Sequence, residues 1–354
     1  MIFTSDNAVG AHPAILEAIG AANGGALPSY GADEAAARVE ARLREVFETD
    51  LRVFLVVTGT AANALALATL CPPWGAVFCH RDSHAEVDEC GAPEFYGGGL
   101  KLVTLPGARA KIDENALRAA VAETGARGVH QVQPAALTLT NVTEAGALYT
   151  PDETAGRVEI ARAGGAAAHL DGTRFANAIA ASGRSAADLS WRAGIDVLCL
   201  GATKGGALAA EAVIFFEPER NAERIAAFEF RRKRGGHLLS KGRLLSAQME
   251  AWLADDLWLD LAGHANAMAA RLSAGLGALP GVEVEGPVEA NMIFATLPQD
   301  MHRALRAAGA GYYVEPAAQD EGAPHLRIRL VTSWATTPEQ VDAFLAAARG
   351  RQAA

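Results

Sequence analysis

The feature that most constrains this chain is an alternation. Short β-rich runs at 53–57, 76–79, 102–105, 129–132, 167–170, 197–200 and 213–216 are separated by alanine-rich segments with helical spacing. Strands that alternate with helices over roughly 200 residues predict a mostly parallel sheet covered on both faces, an α/β sandwich. Pro151-Asp-Glu opens one of the helices, with proline in the first turn and acids beside the helix N-terminus. After about residue 218 the texture changes. A basic stretch at 230–237 leads into a long helical region at 244–279, followed by β runs at 282–284 and 292–295, a short helix near 301–308, a strand at 326–331 and a final helix from Pro338. This predicts a large α/β domain over 1–250 and a smaller α+β domain over 251–354, in keeping with a length well above the ~150 residues of an average domain.

Composition narrows the class. Half of the 354 residues are apolar, so the chain can bury a core. The formal charge of −10 argues against nucleic acid or an anionic membrane as a partner, since those surfaces recruit net-basic proteins. Any anion must therefore be gripped locally. No apolar run approaches the ~20 residues of a membrane span. The first ten residues contain no basic side chain and an early Asp6, unlike a signal or transit peptide, which predicts a cytoplasmic protein. Cys71, Cys79, Cys90 and Cys199 are scattered without a CxxC pair, and the nine histidines are dispersed along the chain apart from His80 and His84, which lie four apart. Buried free thiols and no metal site are expected.

Three short segments can carry chemistry. In Leu200-Gly-Ala-Thr-Lys204-Gly-Gly a lysine ends an apolar strand, where desolvation lowers an amine's pKa toward nucleophilic behaviour. In Ala168-His-Leu-Asp171-Gly-Thr-Arg174 an aspartate follows a strand directly, with an arginine three residues on. Asp171 precedes Lys204 by 33 residues, about one strand–helix–strand crossover, so both can meet at the sheet edge where ligands of open α/β sheets bind. In Val57-Thr-Gly-Thr60-Ala-Ala-Asn63 small residues join a strand to a helix, leaving N–H groups at a positive helix end that suits a phosphate. Each segment also has a local reading: a surface lysine in a glycine turn, an Asp171–Arg174 turn pair, an N-cap by Thr58 or Thr60. No Walker lysine follows and no G-x-G-x-x-G occurs, so a monophosphate fits better than a nucleotide.

The order of these segments, together with Ser5-Asp6-Asn7, Tyr30-Gly31-x-Asp33, His84 followed by Asp88-Glu-Cys-Gly-Ala-Pro-Glu-Phe95, and Arg329-Leu-Val-Thr-Ser333, resembles the low-specificity L-threonine aldolase branch of the β-eliminating lyase family, among the fold-type I pyridoxal 5'-phosphate (PLP) enzymes. The resemblance covers nearly the whole chain. It implies a three-layer α/β/α large domain of the PLP-dependent transferase kind, and PLP as cofactor. It implies that Lys204 holds PLP covalently, that Asp171 partners the pyridinium nitrogen, and that Gly59 and Thr60 cup the phosphate with a hydroxyl from Thr203. His84 matches a histidine on the cofactor ring and a candidate base, acting directly or through water. Ser5, Arg174 and Arg329 match groups that hold the substrate carboxylate, and Arg174 also falls among the cofactor contacts. Within the basic stretch Arg231 to Arg243, Lys241 matches a residue reaching a neighbouring subunit's phosphate.

The implied activity is cleavage of L-threonine, L-allo-threonine and related β-hydroxy-α-amino acids to glycine and an aldehyde. The alternatives on the same scaffold are β-elimination from serine- or cysteine-like substrates and transamination. The resemblance further implies a homo-oligomer, a dimer or tetramer with shared active sites. Two segments depart from the pattern: Lys204 is followed by glycine rather than asparagine, and 130–138 reads His-Gln-Val-Gln-Pro-Ala-Ala-Leu-Thr. The second departure leaves the identity of the general base open.

Overall fold

A computed structural model describes residues 1–315 and 322–350. Seven strands, β1 (Leu51–Val56), β2 (Gly75–His80), β3 (Lys101–Leu105), β4 (Gln133–Thr140), β5 (Ala167–Gly172), β6 (Val197–Gly201) and β7 (Glu211–Phe216), form one sheet in the order β1-β7-β6-β5-β4-β2-β3. The pairs from β3 through β6 are parallel, while β7 runs antiparallel to both β6 and β1. β2, β5, β6 and β7 are buried along their whole length, as expected for strands covered on both faces. One apolar layer centres on Leu137, Leu170, Leu198 and Ile214. The opposite layer centres on Val77, Cys199, Val213 and Phe215 and is capped by helix Gly59–Leu70.

Helix starts follow the sequence signals. Thr150 accepts the N–H of Glu153 while the Glu153 side chain accepts the N–H of Thr150, a capping box ahead of Pro151–Ala163. Thr58, not Thr60, caps the helix Gly59–Leu70 by accepting the Ala61 N–H at 3.1 Å. Such caps contribute about 1 kcal/mol each.

A second, antiparallel sheet comprises β8 (Glu283–Val284), β9 (Met292–Pro298), β10 (Tyr313–Val314) and β11 (His325–Val331), in the order β10-β11-β9-β8. Helices Leu257–Gly277 and Pro338–Arg349 contribute Leu272, Leu276, Val341 and Phe344 to its core. The chain's first residues belong to this layer as well. Phe3 is fully buried there, and its carbonyl accepts the Val331 N–H at 2.9 Å.

Two local expectations are corrected. The run at 129–132 is not a strand: Gly128–His130 form a 3-10 turn that opens on a left-handed Gly128, Val129 is 99% exposed, and β4 begins only at Gln133. Pro134 near the strand start falls beside a register shift in the β2–β4 pairing, a place where a missing N–H is tolerated. All four cysteines are free, but Cys90 is exposed in a left-handed turn between two short helices rather than buried. Among the described residues no helix is long and apolar enough to cross a membrane, and no group of three or more His, Cys, Asp or Glu side chains is arranged to hold a metal ion.

Candidate active site

The C-terminal ends of β5 and β6 and the start of helix Gly59–Leu70 converge on one residue, Thr173. A Cβ placed on Gly59 would lie 3.1 Å from Thr173 Cγ2, and one on Gly201 would lie 2.7 Å from Thr173 Cα. Only glycine permits this approach at Gly201, and it brings the three motifs of the sequence to a single crevice. By helix geometry the N–H groups of Gly59 and Thr60 lack intrahelical partners, so the positive end of this helix is available to an anion.

Asp171 sits in the crevice, 4% exposed. Its Oδ1 accepts Thr173 N–H at 3.0 Å and the Thr173 hydroxyl at 2.8 Å, and its Oδ2 accepts Asn63 Nδ2 at 2.9 Å. Burial alone would raise its pKa. The nearby His84, the Thr173 N–H and Lys204 outweigh that, so the carboxyl is held below its ordinary value. Lys204 is half-buried, and its ammonium meets no hydrogen-bond or ion-pair partner among the described residues. Desolvation, then the Arg174 charge, lower its pKa against the pull of Asp6, Asp171 and Glu211. A lysine amine kept toward neutrality beside an ionised buried carboxylate is a nucleophile facing an anion. That donor set fits a phosphorylated pyridine aldehyde: an amine for the aldehyde carbon, a carboxylate for a protonated ring nitrogen, and a helix N-terminus for the phosphate.

Arg174 does not pair with Asp171. Its Nε and Nη2 donate to Asp6 at 2.7 and 3.0 Å, and Asn291 Nδ2 donates to the same Asp6 at 3.1 Å while also reaching the Thr332 carbonyl at the end of β11. Burial pushes the Asp6 carboxyl up, but Arg174 and Lys204 together bring it below its ordinary value. This network links the two sheets across the crevice. Ser5 caps the turn at Asp6 by accepting the Asn7 N–H at 3.1 Å. Thr203 donates its hydroxyl to Glu211 and accepts the Ala210 N–H at 3.2 Å.

His84 places Nδ1 2.8 Å from Oε1 of the buried Glu89, which also accepts Asn63 Nδ2 at 2.9 Å. Asn63 thus bridges Glu89 and Asp171. The Glu89 bond raises the His84 pKa, although desolvation opposes it. Burial favours a neutral Glu89 in the same pair. Two donors on one carboxylate oxygen, from His84 and Asn63, outweigh this and favour the charge-separated form.

Arg329 and Lys241 stand apart from these contacts. Arg329 lies on β11 with its guanidinium carbon 4.9 Å from the Tyr313 ring centroid and Nη1 3.6 Å from Glu315, while its buried Nε has no partner. Lys241 is exposed, and among the described residues no contact links it to Asp171, Lys204 or the Gly59 turn.

Sequence reasoning assigned no role to Asp6, Asn63, Glu89, Glu144, Glu211 or Asn291. Asp6, Asn63 and Glu89 lie inside the motifs already quoted. Glu211 had a visible signal, an acid opening an apolar strand. Burial pushes its carboxyl from 4.5 up to about 7. Between those values the unfolded chain has released a proton that the folded chain keeps, so stability falls as pH rises through this window. Glu211→Gln removes that loss. In the cofactor-free protein its melting temperature should exceed the parent's by more at pH 8 than at pH 5; an equal difference at both would contradict the assignment.

Residues 3–298 match the profile of the family described as Beta-eliminating lyase. The chain belongs to the β-eliminating lyase family. It is 40% identical over 339 residues, 96% of this chain and 94% of the relative, to the low specificity L-threonine aldolase of Pseudomonas aeruginosa. It is 41% identical over 311 residues, 88% of each chain, to the enzyme of the same name from a Pseudomonas species. The solved structure of Leishmania major threonine aldolase superposes with a TM-score of 0.90 at 30% identity, covering 99% of this chain and 98% of that one. Sphingomonas wittichii serine palmitoyltransferase, 17% identical with a TM-score of 0.71, shares the fold. This β-eliminating lyase thus has the large mixed sheet of fold-type I PLP enzymes, with a small antiparallel sheet beside it.

Proposed function

We propose that this protein is a PLP-dependent aldolase that cleaves the Cα–Cβ bond of L-threonine, L-allo-threonine and related β-hydroxy-α-amino acids, giving glycine and an aldehyde. One observation carries the reading: an unpartnered lysine amine and a buried ionised carboxylate share the crevice formed by β5, β6 and the helix Gly59–Leu70. The 40% identity to an enzyme named for this activity supports the substrate class.

Lys204 would hold the cofactor's aldehyde carbon, Asp171 its ring nitrogen, and the Gly59 and Thr60 N–H groups its phosphate, with Thr203 and His84 as further contacts. When bound, PLP supplies a sink for the electron pair released on bond cleavage. Asp171 acts by keeping a proton on the ring nitrogen, which its low pKa and its hydrogen bonds from Thr173 and Asn63 permit. Arg174, fixed by Asp6, and Arg329, with a buried Nε lacking an acceptor, would bind the substrate carboxylate, with Ser5 beside them. A carboxylate held at fixed points sets which bond to Cα is presented for cleavage.

Arg329→Ala should raise KM for L-threonine about 10–100-fold, the worth of a charge-assisted hydrogen bond, with a smaller change in kcat. An unchanged KM removes Arg329 from the substrate site. We further propose a homo-oligomer in which Lys241 of a neighbouring copy approaches the phosphate. Residence in the cytoplasm is in keeping with four unpaired cysteines.

The reading is tested by a substrate panel. L-Threonine and L-allo-threonine should yield glycine, whereas L-serine and L-cysteine should release no ammonia at comparable rates. Ammonia release from the latter pair, with no glycine from the former, identifies an eliminase instead.

A further inference from the structure

Building on the aldolase reading, we infer that Glu144 is the catalytic base that takes the β-hydroxyl proton of the substrate. Glu144 lies just beyond β4, whose last residue Thr140 is the register partner of Asp171, and the next N–H, that of Asn141, donates to the Asp171 carbonyl at 3.0 Å. The loop carrying Glu144 therefore starts at the same sheet edge as Asp171. One carboxylate oxygen is fixed: Oε1 accepts the His84 backbone N–H at 2.8 Å and the Thr140 hydroxyl at 3.0 Å. The other, Oε2, is sealed from solvent and has no partner. A buried carboxylate oxygen left without a donor is costly, so such atoms mark places where a ligand completes the bonding. Here the missing partner is a donor, and the β-hydroxyl of the substrate is one.

His84 is poorly suited to the same task. Its Nδ1 is tied to Glu89, and that bond favours the protonated ring, which has no lone pair to offer. Glu144 is the complementary group. Burial, then the Asp171 charge, push its carboxyl up to about 7 against hydrogen bonds from its own backbone N–H, the His84 N–H and the Thr140 hydroxyl, so near neutral pH it both accepts and returns a proton. The titratable groups that face it are Asp171 on β5, His84 in the helix His84–Val87, Cys79 on β2, and Tyr149.

The step balances within the substrate and this side chain. The hydroxyl O–H bond breaks and its proton passes to Oε2. The O–H pair becomes the second bond of the aldehyde C=O, the Cα–Cβ bond breaks, and its pair stays with Cα. Cα then takes up a proton to become glycine, and Glu144 releases its own.

The test uses the PLP-loaded protein and its Glu144→Gln variant, whose amide oxygen can still accept from His84 and Thr140. Two reactions are compared. Threonine cleavage needs the base, whereas exchange of the glycine α-hydrogen with deuterated water needs the cofactor and Lys204 but no hydroxyl. We expect cleavage to fall about 10²–10⁴-fold and its acidic limb near pH 7 to vanish, with glycine exchange within threefold of the parent. Infrared pH-difference spectra of the cofactor-free proteins, both carrying Glu211→Gln because Glu211 is also pushed up to about 7, provide a readout independent of turnover: a protonated-carboxyl band titrating near pH 7 should be lost when Glu144 is replaced. Cleavage within threefold of the parent, a retained acidic limb, or an equal fall in both reactions overturns the assignment of Glu144. Failure of the parent itself to cleave threonine while it exchanges glycine overturns the aldolase reading instead.

Discussion

Replacing Lys204 by alanine should abolish turnover, lowering threonine cleavage by more than about 10³-fold. The expectation follows from where the amine sits. Lys204 lies in the 3-10 turn Thr203–Gly205 just past β6, whose last residue Gly201 packs against Thr173, and no second lysine amine neighbours Asp171 among the described residues. Borohydride reduction of the cofactor-loaded parent, followed by proteolysis, should leave the cofactor's mass on the peptide carrying Lys204. The variant should carry no such mass, yet it should melt close to the parent, because the ammonium it loses makes no hydrogen bond that folding depends on. Near-normal cleavage in Lys204→Ala would exclude the mechanism.

The second large effect is expected at Asp171. In Asp171→Asn the oxygen bound to Thr173 can be retained, but the other position becomes an NH2 group facing the NH2 group of Asn63. The side chain also loses the negative charge that keeps the ring nitrogen protonated. Electrostatic groups of this kind are typically worth about 10²–10³ in kcat. We expect a loss of that size, accompanied by a changed visible spectrum of the bound cofactor, since the proton on the ring nitrogen alters its absorption. A variant retaining kcat within threefold, with an unaltered spectrum, would show that Asp171 is structural.

The two predictions rest on residues that the sequence made visible, and the reason is physical. Asp171 and Lys204 each end a run of apolar, strand-forming residues, and a polar group there has few explanations in a covered parallel sheet. Gly201 is visible by its position for the same reason. What sequence reasoning did not supply is pairing over long separation. Asp6 and Arg174 are 168 residues apart, and Asn291 joins them from the second sheet. A local reading of Arg174 finds Asp171, three residues away, as its obvious partner, and the fold selects Asp6 instead.

Glu144 was hidden differently. The segment between β4 and the helix Pro151–Ala163 has neither the period of a strand nor that of a helix, so nothing in it reports which side chains turn inward. Its burial and its open Oε2 emerge only from the contacts with His84 and Thr140. The run at 129–132 failed for the converse reason. Its valines have strand character, but Gly128 turns the chain and Gln133 is the first residue to find a neighbour in β2.

The central claim, that this crevice breaks the Cα–Cβ bond of a β-hydroxy-α-amino acid, is tested most directly by following L-threonine labelled with carbon-13 at both Cα and Cβ by nuclear magnetic resonance. The account predicts that the coupling between the two labels disappears as one emerges in glycine and the other in acetaldehyde, in equal amounts. Retention of the coupling in a single four-carbon keto acid, with ammonia released, would contradict it.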